Sequence, residues 1–391
     1  MTRVYLDHAA TTPMLPEAIE AMSRELSRVG NASSLHGSGR AARRVVEEAR
    51  ESIAARLGAR PAEVIFTSGG TESDNQAVKG AWWTGRARRP ARTGVVCSAI
   101  EHHAVLDAVG WTHSQGAPVR LIGVDRAGRL DLAELDEAVT DGCAVVSVIW
   151  ASNELGTVQP VSEVAAAARR RGALSHSDAV QAVGHLRVDF AASGLDLLSA
   201  SAHKLGGPYG IGLLLARRDL ELTPVLHGGG QERDLRSGTL DVAAVAGFAP
   251  ALEVAEARRE SEDDRLRRLR GRLVEALRRI APEAVINTPL GAAECLPGLL
   301  SVTFPGCEAD AMLMLLDAAG IDCATGSACS AGVAQPSHVL LAAGRRERDA
   351  RSTLRFSLGH TSRDDDVDAL AAALPEALRR ARLAGSLSAA R

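Results

Sequence analysis

The apolar and polar positions of this chain alternate between two periods. Short runs of β-branched and aliphatic residues read as strands buried on both faces: 63–67, 94–98, 117–122, 143–149, 173–177, 196–200 and 211–216. Between them, apolar residues recur every three to four positions, as helices that cover a sheet require. Helices are predicted over 16–29, 38–57, from 71, from 102, over 131–139 and over 162–171, with Gly58 as a stop for the second. Strand and helix in alternation predict an α/β fold with a mostly parallel sheet layered between helices.

Past residue 240 the rhythm changes. Residues 241–280 read as helical throughout, and 258–279 carry alternating charge, the pattern of a solvated helix. Strands at 299–304, 321–324 and 352–358 then mix with helices at 308–319, 337–343 and from 364. This last third reads as a smaller α+β domain. No internal repeat or low-complexity linker interrupts the chain.

Composition narrows the function classes. The chain has 391 residues, 46% hydrophobic and 24% charged, with a net charge of −3. That balance gives no ground for binding nucleic acid or an anionic membrane. No apolar run reaches the length of a membrane span, and the first residues form no apolar secretory segment, so a cytoplasmic protein is expected. Cys97, Cys143, Cys295, Cys307, Cys323 and Cys329 are scattered without a C-x-x-C pair. They suggest neither a metal site nor a disulfide framework. Most are expected to be buried, and one could be a reactive thiol.

The basic residues supply the first chemical signal. Of 45 Lys plus Arg, only Lys79 and Lys204 are lysines. An amine can lose its proton when desolvated and form an imine with a carbonyl, which a guanidinium cannot. Lys204 lies in SASAHKLGG, just past a predicted buried strand, where ligands of open α/β sheets sit. An ordinary surface lysine remains the plain alternative there, and it is the expectation for Lys79 near a helix end. A second signal is Phe66 to Asn75, FTSGGTESDN. Strand, glycine turn and helix start make an anion cradle, although a simple Thr71 N-cap with acidic neighbours would explain part of it. Its spacing fits neither a P-loop nor a dinucleotide fingerprint.

Thr71, His102, Asn153, Asp178, Gln181, Ser201, His203 and Lys204 all fall at predicted strand ends, which converge on one crevice in such a sheet. An anion cradle, a flat ring, a carboxylate and an amine together suit pyridoxal 5'-phosphate. Singly, each residue has a bland explanation: His102 could cap a helix and Asp178 could simply end a strand.

The motifs are also similar, in order and over almost the whole chain, to those of the NifS/IscS-like cysteine desulfurases. These form part of the class V aminotransferase group of fold-type I pyridoxal-phosphate enzymes. The matching stretches are YLDHAATTP from Tyr5, NASSLH from Asn31, FTSGGTESDN, Glu101-His102, SNELG from Ser152, Ser177-Asp178 with Gln181, SAHK from Ser201, Gly228 to Thr239, GSAC from Gly326 and RFSLG from Arg355. The resemblance implies a large domain of residues 13–257 with a mostly parallel seven-stranded sheet. It implies a smaller α+β domain of residues 1–12 and 258–391 that carries a mobile cysteine loop.

It also implies roles. Lys204 would bind the cofactor covalently and shuttle the substrate proton, and His102 would stack on the ring and assist proton transfers. Asp178 would pair with the ring nitrogen and Gln181 with the ring hydroxyl. Gly70, Thr71, Ser201 and His203 would hold the phosphate, completed by Thr239 of a partner subunit, hence a homodimer. Asn153 and Arg355 would bind the substrate carboxylate, and Asn31 would also contact the substrate. Cys329 would take sulfur from L-cysteine as a persulfide, release alanine, and pass the sulfur to an acceptor for iron–sulfur clusters or tRNA thiolation. No metal is implied. The small-residue loop around Cys329 is similar to the branch that works without a dedicated activator. Another class V enzyme, an aminotransferase or selenocysteine lyase, would keep Lys204 and Asp178 without needing Cys329. A non-catalytic subunit on the same fold is a third alternative, against which the joint presence of these residues argues.

Overall fold

In a computed structural model, residues 3–326 and 335–389 are described, the side chains only to residue 383. Seven strands form the main sheet in the order Val64–Thr67, Gly212–Ala216, Leu197–Ser201, Leu174–Asp178, Cys143–Ser147, Gly94–Ser98 and Val119–Ile122. All run parallel except Gly212–Ala216, which is antiparallel to both neighbours. Every residue of Val64–Thr67, Cys143–Ser147, Leu197–Ser201 and Gly212–Ala216 is buried. Covered on both faces, these strands need no alternation with charged positions, which is why they read as runs of apolar and small residues.

The helices follow from local signals. Asp131 and Asp241 cap the helices Leu132–Ala138 and Val242–Ile280 by accepting backbone N–H bonds, and Gly172 closes Val161–Arg171 in the left-handed region. The Val242–Ile280 helix spans both halves of the molecule. Its first part buries Val245, Phe248 and Leu252 in the core around the main sheet. Its second part buries Leu266, Leu269, Leu273 and Leu277 in a separate core with Leu300, Phe304, Leu354 and Phe356.

That second core covers a four-stranded sheet in the order Ala324–Thr325, Thr353–Ser357, Leu299–Thr303 and Val285–Ile286, antiparallel throughout. Beside it, Val4–Tyr5 pairs in parallel with Ile321–Asp322. The stretch 321–324, expected as one strand, is therefore two. The chain changes sheets at the buried Cys323, so Ile321–Asp322 and Ala324–Thr325 serve different partners. Among the described residues, no helix is long and apolar enough to cross a membrane.

Candidate active site

The carboxyl ends of five parallel strands open on one cavity of about 140 Å³. Gly70, Thr71, Asp74, His102, Ile149, Asn153, Asp178, Val180, Gln181, Ser201, His203 and Lys204 line it. Asp178 and Ser201 end their strands and the other expected residues follow theirs within six positions, so the parallel topology brings together positions up to 134 apart, Gly70 to Lys204.

One end of the cavity is the start of the Gly70–Arg88 helix. Its N-cap is Gly69 rather than Thr71, and no side chain caps it, so its first N–H groups remain to meet a ligand. Gly69 has φ +152, a conformation that side chains rarely adopt, and a Cβ at Gly212 would fall 2.6 Å from the Cα of Gly69. The glycines thus serve a tight turn against the neighbouring strand. Thr71 is exposed within the first turn, opposite Ser201 and His203.

At the other end stands Lys204. Its Nζ donates to the carbonyls of Ala9 and Ala10, both at 2.7 Å. Burial, reinforced by the Arg355 charge, lowers its pKa to about 8, while Asp178 and Asp7 oppose the shift. An amine with that pKa parts with its proton near neutral pH far more readily than a solvated lysine. The N-terminal YLDHAATTP stretch forms its roof: His203 Nδ1 lies 3.2 Å from Thr11 Oγ1, and Gln181 Nε2 donates to the Ala9 carbonyl at 2.8 Å.

His102 ends its loop as the N-cap of the His103–Ser114 helix, with Nδ1 accepting from the Ala104 N–H at 3.1 Å. It therefore does both things weighed for it, capping a helix and lining the cavity. Burial holds its pKa below the usual range, against the pull of Asp178. Asp178 is buried and accepts from the Val180 N–H at 2.9 Å. Burial raises its pKa, while His102, that N–H and Lys204 pull it back.

Three expected residues lie elsewhere among the described residues. Arg355 flanks the cavity, buried, donating to the Asn153 carbonyl at 2.9 Å and to Asp7 Oδ1 at 2.8 Å, with its Nε unpartnered. Asn31 is exposed, and its Oδ1 accepts from the Ser33 N–H at 2.9 Å. Thr239 is exposed on the 228–239 loop, away from this chain's own cavity. Cys329 lies outside the described residues. Both flanks of its stretch approach Glu154: Ser337 Oγ donates to Glu154 Oε2, and a Cβ at Gly326 would lie 2.7 Å from that oxygen. Burial raises the Glu154 pKa to about 7.

The sequence reading did not single out Asp74, although it lines the cavity, nor the Ala9 and Ala10 carbonyls. Asp74 sits inside the FTSGGTESDN motif, but only the fold turns its side chain toward the strand ends.

The donor set fits pyridoxal phosphate: a free helix start with two hydroxyls for the phosphate, a flat imidazole beside a carboxylate for the ring, and a desolvated amine for the aldehyde. The arrangement is that of a pyridoxal-phosphate enzyme on a mostly parallel α/β sheet. Residues 4–370 match the family described as Aminotransferase class-V, and the chain belongs to that family. It is 54% identical over 385 residues to an IscS-like cysteine desulfurase of Mycobacterium tuberculosis, covering 97% of both chains. It is 39% identical to the cysteine desulfurase IscS of Methanosarcina thermophila, covering 97% of this chain and 93% of that one. Among solved structures, a NifS-like protein superposes with a TM-score of 0.90 at 35% identity, covering 97% of this chain and 100% of the other. Pyridoxal 5'-phosphate is the cofactor of this enzyme.

Proposed function

We propose that this chain is a cysteine desulfurase that converts L-cysteine to L-alanine and holds the released sulfur as a persulfide on Cys329. The observation that carries the reading is the meeting of Lys204, His102 and Asp178 in one cavity at the strand ends, the amine brought to a pKa of about 8. The comparisons support the same activity through relatives that bear its name.

Bound at Lys204, the cofactor supplies an electron sink that stabilises negative charge at the substrate carbon. The protein's share is positioning and proton handling. Gly70, Thr71, Ser201 and His203 hold the phosphate, with Thr239 contributed by a second copy of the chain in a homodimer. The Asp178 carboxylate keeps the ring nitrogen protonated, His102 packs on the ring, and Gln181 holds its hydroxyl. Arg355, Asn153 and Asn31 hold the substrate carboxylate, the first through the fork that now grips Asp7. Lys204 Nζ, free once the substrate amine has taken its place, would take the proton from the substrate carbon. The Cys329 thiolate attacks the substrate sulfur and the carbon–sulfur bond breaks. The electron pair stays with the carbon that becomes the methyl group of alanine.

In this account residues 13–257 form the cofactor-binding domain, and 1–12 with 258–391 form the domain that carries Cys329. The sulfur passes to an acceptor protein of the cytoplasm, for iron–sulfur clusters or tRNA thiolation. Incubation of the loaded protein with L-cysteine and a thiol reductant tests the function: alanine and sulfide form in equal amounts. Amino-group transfer to a keto acid without sulfide would replace the reading with an aminotransferase. Activity confined to selenocysteine would make the chain a lyase.

A further inference from the structure

Three carboxyl groups lie under the cavity, and the chemistry above uses one. Asp178 has a backbone N–H at 2.9 Å and faces His102 and Lys204. Glu101, fully buried on the neighbouring loop beside the Cys97 thiol, receives the Ile149 N–H at 2.7 Å. Asp74, in the second turn of the Gly70–Arg88 helix, is 1% exposed, and its Oδ1 has no hydrogen-bond partner.

The strands packed against Asp74 offer it no cation. His176 Nε2 is 3.6 Å away, but that ring is wholly buried and its pKa is pushed down to about 3. Its two nitrogens are already engaged, Nδ1 with Ser147 Oγ at 2.8 Å and Nε2 with Ser199 Oγ at 3.0 Å. Burial, then the charge of Asp178, raises the Asp74 pKa well above the carboxylate range, against a hydrogen bond from Ser199. Like charges crowded in a dry site cannot all persist: Asp178 and Glu101 each hold a backbone N–H, which can only donate, whereas the Ser199 hydroxyl beside Asp74 can turn to accept, so the proton settles on Asp74.

We propose that Asp74 is a positioning residue of this site: a neutral carboxylic acid that joins the Ser199–His176–Ser147 chain and leaves the negative charge beside the cofactor ring to Asp178. The inference rests on the reading that Asp178 faces the ring nitrogen. A protonated Asp74 hydroxyl also suits its surroundings, because the Ser199 oxygen can accept from it beside the contact it shares with His176 Nε2.

Infrared spectroscopy tests it without turnover. The cofactor-free wild type at neutral pH shows the carbonyl band of a protonated carboxyl, and Asp74→Asn loses that band. Labelling wild-type protein with isotopic aspartate shifts the band, which separates it from Glu101 and Glu154 without any variant. No aspartate band, or one that survives in Asp74→Asn, would overturn the proposal. In the loaded protein, Asp74→Asn keeps the pH midpoint of the visible cofactor absorption within about half a unit of wild type, because one neutral group replaces another. Were Asp74 ionised, removing its charge would lower that midpoint by about one unit or more, and such a drop would also refute the proposal. A failed desulfurase reading would show in the alanine and sulfide assay and leave the infrared result standing.

Discussion

Two buried sets of charge in this molecule follow opposite rules. Arg50 and Glu232 form a closed pair: Arg50 Nη2 meets Glu232 Oε1 at 2.7 Å, and Nη1 meets Oε2 at 2.9 Å. The remaining capacity is used as well, by the Val64 carbonyl at 2.6 Å and the Phe66 N–H at 2.8 Å. This network pins the 228–239 loop to the edge strand of the main sheet. Under Lys204 the groups are just as buried but incomplete. Asp74 and Glu101 each keep an oxygen without a partner, and carboxyls outnumber fixed cations. A satisfied set stabilises a geometry. An unsatisfied one holds perturbed protonation states ready, and such states mark functional sites.

The largest effect that would break this contrast is at the incomplete set. Lys204→Ala is expected to lower alanine release by at least roughly a thousandfold and to abolish the cofactor's visible absorption, read by spectrophotometry and product assay. Lys79, over the Trp111 ring at 4.9 Å, lies on a different element and cannot substitute.

At the closed pair the effect falls on stability instead. Glu232→Gln leaves the buried Arg50 with only the more exposed Glu47 as counter-charge, 3.2 Å from Nε, and should cost about 3 kcal/mol in urea unfolding. Activity per folded molecule should change little. Asp178→Asn gives the opposite pattern. It thins a crowd of like charges, so cofactor-free stability should hold or rise by about 1 kcal/mol, while activity falls roughly a hundredfold. Loss of stability in Asp178→Asn comparable to that in Glu232→Gln would erase the distinction between the two sets.

The site was legible in the sequence where chemistry sits at strand ends. The parallel sheet carries Asp178, Ser201 and Lys204 to one edge, and alternation of period alone predicts that sheet. The closed pair was not legible, because Arg50 and Glu232 are 182 residues apart and nothing local marks either. Nor was the break at Cys323, where the short stretch IDCA gives no sign of a change of partner. Two-residue strands such as Val4–Tyr5 and Val285–Ile286 owe their existence to pairing rather than propensity, so their own sequence carries little signal. Thr71 reads as a cap by type, yet the helix begins at Gly70, and only the turn geometry at Gly69 decides this.

A further effect, spread over several pH units rather than read at one, is the pH dependence of stability. His8 and His176 are buried neutral, each with a pKa lowered to about 3 by burial, against 6.5 when unfolded. The unfolded chain takes up protons first as pH falls, so their stabilising contribution is full above pH 6.5 and fades toward pH 3. Urea unfolding should lose roughly 1.4 kcal/mol per pH unit for each histidine in that window. His176→Gln should flatten the slope by one histidine's share, and an unchanged slope would show that the ring is not held neutral.

The most direct test of the central claim follows one turnover. The loaded protein is mixed with L-cysteine without reductant, quenched and digested, and its peptides are weighed by mass spectrometry beside an alanine assay. The account predicts one alanine per site and one added sulfur on the peptide that contains Cys329, with neither in Cys329→Ser. Alanine formed while the sulfur sits on Cys323, or on no cysteine, would contradict it.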